Sequence, residues 1–127
     1  MGSSAAWDTP PPPETVEFFL GRMRAHSKVS RVVTHSDNRH DLFRHGATTI
    51  KVFLTDTYEF TVSDYAELHA EYPEVNCIAS ASTWNHFTYE AEEVANGDGV
   101  ATFLIAELMG ALNFTGAKFR NYVAPQK

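Results

Sequence analysis

The stretch VNCIASASTWNHFTYEAEEVANGDGVATFLIAELMGALN, residues 75–113, decides the fold. Val75 to Ser80 is a short apolar run, suited to a strand buried on both faces. Asn85 can cap a helix over about His86 to Ala95, and Asn96-Gly97 is a helix stop. Val100 to Ile105 reads as a second buried strand. Ala106 to Asn113 reads as a helix that buries Leu108, Met109 and Leu112. Strand, helix, strand, helix in succession implies parallel strands with helices covering the sheet.

Upstream, the pattern changes. Met1 to Pro13 is small, polar and proline-rich, with four prolines from Pro10 to Pro13, and predicts a flexible lead-in. A helix follows over about Glu14 to His26, with Val16, Phe19, Leu20 and Met23 forming its apolar stripe. Strands are predicted over Val29 to His35, His40 to His45 and Thr48 to Asp56, with a turn at Ser36-Asp37-Asn38. In the third strand Ile50, Val52 and Leu54 share one face, and Lys51, Phe53 and Thr55 the other. Ser63 can cap a helix with Tyr65, Leu68 and Tyr72 inside, which Pro73 stops. The expected fold is therefore one α/β domain in the order αβββαβαβα, a mixed central sheet flanked by helices, spanning 14–116. A flexible segment (1–13) precedes it and a basic tail (117–127) follows.

A chain of 127 residues can bury one core without disulfides, and its hydrophobic fraction of 43% excludes a disordered protein. No run is long enough to span a bilayer, Met1 to Pro13 lacks the features of a signal peptide, and the single cysteine, Cys77, sits in an apolar run. These features point to a cytoplasmic protein with no membrane partner and Cys77 as a packed core thiol. The net charge of −6 is unevenly spread. Residues 22–51 carry seven Lys or Arg against Asp37 and Asp41, a net of +5. Residues 52–117 carry eleven acids and no Lys or Arg. Such a split marks either an anionic partner, DNA or RNA, on the basic segment, or mutual attraction of the halves within the fold or in a homo-oligomer.

Between the predicted strand at 75–80 and the next helix lie Ser82, Thr83, Trp84, Asn85 and His86. This is the position, outside the carboxyl end of a strand, where open α/β sheets bind ligands. The five residues offer hydroxyls, an amide, a stacking ring and a titratable imidazole, and are candidates to hold a phosphate or a base. Ordinary capping, with Trp84 as a core plug, is the plainer reading.

Cys77-Ile78-Ala79-Ser80, then Phe87-Thr88 and Ala91, then Val100 to Ile105 and Leu108 to Leu112, resembles the C-terminal half of Mrr-type restriction endonucleases. These belong to the PD-(D/E)XK nuclease-like superfamily. The resemblance covers about 35 residues, and the predicted order αβββαβ agrees with it. It implies a restriction-endonuclease-like fold and Mg²⁺-dependent phosphodiester cleavage. It also implies an acidic residue on the second strand, and an acid or Gln two positions before a Lys on the third. Asp41 and Lys51 fill two of these places as the candidate catalytic residues. Carboxylates would hold the metal and Lys51 would stabilise phosphate charge. The chain departs from the pattern at Thr49, which puts cleavage in question. Asp56 at the strand end, or Glu14 and Glu17, are the carboxylates left to join Asp41 on a metal.

Other chemistries fit less well. His35, Asp37, His40, Asp41 and His45 surround one hairpin without a zinc spacing, and a solvated hairpin is the simpler expectation. There is no Gly-x-Ser-x-Gly, phosphate loop or dinucleotide fingerprint. The expected function is a nuclease-fold protein that binds nucleic acid with an altered catalytic site. The alternative is a non-enzymatic α/β module that self-associates or binds a protein partner.

Overall fold

The computed structural model describes residues 6–8, 10–35 and 38–124. Helix α1 (Pro13–Ala25) starts with proline, whose fixed φ and missing N–H suit a first helical position, and Glu14 in its first turn and Arg22 and Arg24 in its last complement the helix dipole. Three antiparallel strands follow: β1 (Val29–Thr34), β2 (Arg39–Arg44) and β3 (Ala47–Thr55). A two-residue strand β4 (Glu59–Phe60) leads into α2 (Val62–Glu71). Strand β5 (Cys77–Ser80) runs parallel to β3, and β7 (Ala101–Leu104) parallel to β5. Between them, β6 (His86–Phe87) pairs with β4 and is followed by α3 (Tyr89–Gly97). Helices α4 (Ile105–Ala111) and α5 (Gly116–Arg120) close the chain. The main sheet is mixed and five-stranded, ordered β1-β2-β3-β5-β7. Among the described residues no helix is long and apolar enough to cross a membrane.

Alternation along the central strands divides the core in two. Ile50, Val52, Leu54, Cys77 and Ala79 face α1, α4 and α5, where Phe19, Met23, Leu108 and Phe119 meet them. Phe53 and Ile78 face α2 and α3, packing with Tyr65, Leu68, Ala91 and Ala95. Cys77 is fully buried, and burial pushes its thiol pKa up, as expected of a core thiol.

The structure departs from the predicted boundaries in four places. Trp7, inside the segment expected to be flexible, is buried in the second core. It lies against Phe53 and Tyr72, and its indole N–H donates to Glu67 Oε1 at 3.0 Å. Helix α2 is capped by Thr61 rather than Ser63. Thr61 Oγ1 accepts from the Asp64 amide, and the Asp64 carboxylate accepts from the Thr61 amide, a reciprocal box that Ser63 has no partner to make. Helix α3 starts at Tyr89, capped by Thr88, because pairing of β6 with β4 holds His86 and Phe87 extended. The expected tail contains α5, whose Phe119 is buried. Beyond α5, the Tyr122 ring packs where a side chain on Gly110 would collide with it. Of the predicted turn, Ser36 and Asp37 lie outside the described residues, and Asn38 takes a left-handed φ of 62°.

The histidine hairpin is not wholly solvated. His40 on β2 is buried against Phe19, its Nδ1 meeting Thr34 Oγ1 at 3.1 Å while Nε2 has no partner. Burial lowers its pKa from 6.5 to about 4. Nearby His35 and Arg24 also lower it, and Asp41 opposes them. In the unfolded chain this imidazole takes a proton near pH 6.5, while in the fold it stays neutral down to about pH 4. Stability is therefore present above pH 6.5 and lost as the pH falls toward 4. Urea unfolding at pH 7 and pH 5 is expected to differ by about 2 kcal/mol from this group, and His40→Gln to reduce the difference by that amount.

Candidate functional site

On the sheet face that carries Phe53, beyond the cover of α2, lies a polar cleft of about 150 Å³. Arg39 and Asp41 from β2 and Lys51 from β3 form its floor. His35, just past β1, lines one side, and Glu74, in the turn between α2 and β5, the other. Asp41 and Lys51 are direct cross-strand partners, so antiparallel pairing sets their side chains side by side. The backbone here is held firmly, since the Lys51 amide donates to Asn76 Oδ1 at 2.8 Å and Asn76 Nδ2 donates to Thr49 O.

The charges of this cleft are distributed unevenly. Asp41 Oδ2 lies 3.0 Å from His35 Nε2 rather than on Lys51. Glu74 Oε2 is 2.8 Å from Arg39 Nη1, and the Arg39 guanidinium also stacks over the Tyr72 ring. Each carboxylate thus has a basic partner. Lys51 has no carboxylate within ion-pairing distance among the described residues. The formal charges of the lining balance, Arg39 and Lys51 against Asp41 and Glu74, and Lys51 is the half-buried cation that is left without a direct carboxylate contact.

The structure brings Asp41 and Lys51 together and leaves Asp56 apart. Asp56 follows β3, five residues beyond Lys51, which at strand rise places it roughly 16 Å along the sheet. Its Oδ1 accepts from the buried Asn85 amide at 3.1 Å. Asp41 and Asp56 therefore do not form the expected metal pair. Glu14 and Glu17 ride on α1, which packs against the opposite sheet face. Among the described residues, no three His, Cys, Asp or Glu side chains are grouped to hold a metal ion. Glu74 is the carboxylate that does reach the cleft. Its place in a turn after Pro73 gave no periodic signal in the sequence.

The loop after β5 disperses its five candidates. Ser82 and Thr83 line a largely apolar hollow with Phe18, Arg22 and Met109. Trp84 is 74% exposed, so it is not a core plug. Asn85 points inward to Asp56, and His86 Nε2 lies 3.1 Å from Glu59 Oε2 with Tyr58 edge-on to its ring. The short motif Phe87-Thr88-x-x-Ala91 has a local physical role. Phe87 packs on Phe60, Thr88 caps α3, and Ala91 is small enough to sit flush on the sheet. The basic segment 22–51 is likewise thinned at the surface, because Arg44 is buried and Arg39 is paired with Glu74.

Fold and cleft together define a single α/β domain with a mixed five-stranded sheet and a charged cleft on its antiparallel half. Comparison of the chain with protein-family models, with curated proteins and with solved structures finds no match.

Proposed function

We propose that this chain is a nuclease-fold domain that binds the phosphate backbone of nucleic acid through the Lys51 cleft without efficient metal-dependent cleavage. The observation that carries the reading is how the charged groups of the cleft are partnered. Asp41 and Lys51 stand side by side, yet the position two before Lys51 is Thr49, Asp41 Oδ2 is already in contact with His35 Nε2, and Glu74 is ion-paired to Arg39. A magnesium site needs several free oxygen ligands, and binding here would first have to break those pairs. An unpaired ammonium on an open face suits a phosphate oxygen instead. The order of the main-sheet elements, helix, three strands, helix, strand, with only the two-residue β4 interposed and β5 parallel to β3, supports the nuclease-like reading. So does the basic surface left by Arg24, Lys28 and Arg31 near the β1 edge.

Incubation with labelled DNA and RNA plus Mg²⁺ or Mn²⁺ tests the catalytic half of this proposal. The expected result is intact substrate. Cleavage by the wild-type protein that disappears in both Asp41→Ala and Lys51→Ala would show a competent site and overturn it.

A further inference from the structure

A second hollow, also of about 150 Å³, opens at the end of the sheet where β5 and β7 begin, and shares no lining residue with the Lys51 cleft. Arg44, Thr48, Asn76, Gly99, Gly116 and Arg120 line it, and no carboxylate does. Arg44 is the one buried side chain with a full positive charge among the described residues, at 7% exposure. Its Nε donates to Thr48 O at 2.9 Å, and its Nη1 to Leu112 O and Phe114 O at 3.2 and 2.6 Å, while Phe119 lies beneath the guanidinium. Nη2 has only a 3.4 Å contact to the Thr48 hydroxyl, which leaves donor capacity unspent. Arg120 donates through Nε to Asn96 Oδ1 at 2.7 Å, and like Arg44 it has no carboxylate partner among the described residues.

Carbonyl dipoles alone are poor compensation for a buried cation, which is normally matched by an opposite charge. Here two guanidiniums border one hollow with no acid in its walls, in a chain whose net charge is −6. Gly99 and Gly116 take left-handed φ values of 81° and 58°, and open space lies where a side chain at either would stand. The hollow is thus walled partly by bare backbone. Guanidinium N–H groups match the oxygens of a tetrahedral anion in paired geometry, which an ammonium cannot offer. From this arrangement we infer that the hollow is a binding site for a phosphate-class oxyanion, held between Arg44 and Arg120. Arg44 supplies the fixed donor and Arg120 the adjustable one.

The test is an NMR titration of the full chain with inorganic phosphate and, in parallel, with a nucleoside 5′-monophosphate, each against sodium chloride at matched ionic strength. Saturable shifts of the Gly99 and Gly116 amides and the Arg120 Nε–H group are expected with phosphate. Arg120→Glu and Arg120→Ala are expected to weaken binding by about tenfold or more. Arg120 is half-buried and its hydrogen bond to Asn96 is at the surface, so both variants are expected to retain the fold, which the dispersion of the same NMR spectra checks. Tighter binding of the nucleotide than of free phosphate would assign the anion to a nucleotide, and equal or weaker binding to the free ion. Three results would overturn the site: shifts no larger than those chloride produces, binding indifferent to both Arg120 variants, or binding abolished by Lys51→Ala but kept in Arg120→Glu.

Discussion

Trp7→Ala is expected to destabilise the domain by about 3–4 kcal/mol, read as a fall in the urea midpoint with little change in slope. The indole is 7% exposed and contacts Phe53 and Tyr72 edge-on, in the core that also holds Tyr65 and Leu68. Truncation removes a large apolar surface and leaves a void that the neighbouring rings cannot fill without losing their own contacts. It also removes the donor to Glu67 Oε1, which would return to water at small cost, being only partly buried. Trp7→Phe keeps most of the ring and is expected to recover more than half of the loss. A negligible effect of Trp7→Ala would mean that the N-terminal segment does not belong to the folded unit.

The second large effect is expected at Arg44. Arg44→Ala strips three backbone carbonyls, those of Thr48, Leu112 and Phe114, of a charged donor, and exposes the face of Phe119. Hydrogen bonds to charged groups are worth more than neutral ones, and carbonyls left buried without a donor carry the desolvation cost. A loss of about 3 kcal/mol is expected. The damage should centre on the end of α4 and on α5, since Leu112 and Phe114 follow α4 directly. Amide exchange comparing α5 with β3 would show this as faster opening of α5. Arg44→Lys keeps the charge but cannot reach three carbonyls in one plane, and is expected to recover only part of the loss.

The sheet was legible in the sequence because its strands are long or continuously apolar. Ile50, Val52 and Leu54 alternate with Lys51, Phe53 and Thr55, and Cys77 to Ser80 is buried throughout, as such patterns predict. The direct pairing of Asp41 with Lys51 was not legible, because a register shift between Leu42 and Arg44 is what sets the two opposite each other. What sequence reasoning missed was set by tertiary contacts. Trp7 is a single aromatic in a proline-rich tract, with no period to betray which core it joins. Thr61 and Ser63, like Asn85 and Thr88, are competing caps within a few residues. The choice between the latter two is made by the pairing of β6 with β4, two residues on each side. Glu74 enters the cleft from a turn, and Arg44 leaves the surface for the interior. Counting charges along the chain could reveal neither.

The proposed phosphate-binding role of the Lys51 cleft is tested most directly by fluorescence anisotropy of a labelled duplex against wild-type protein and Lys51→Ala across a sodium chloride series. Salt-sensitive binding by the wild type is expected. Lys51→Ala is expected to weaken it and to lower the salt slope by about one, as loss of a single phosphate contact requires. Absence of binding by the wild type at low salt, or identical curves for the two proteins, would contradict the proposal.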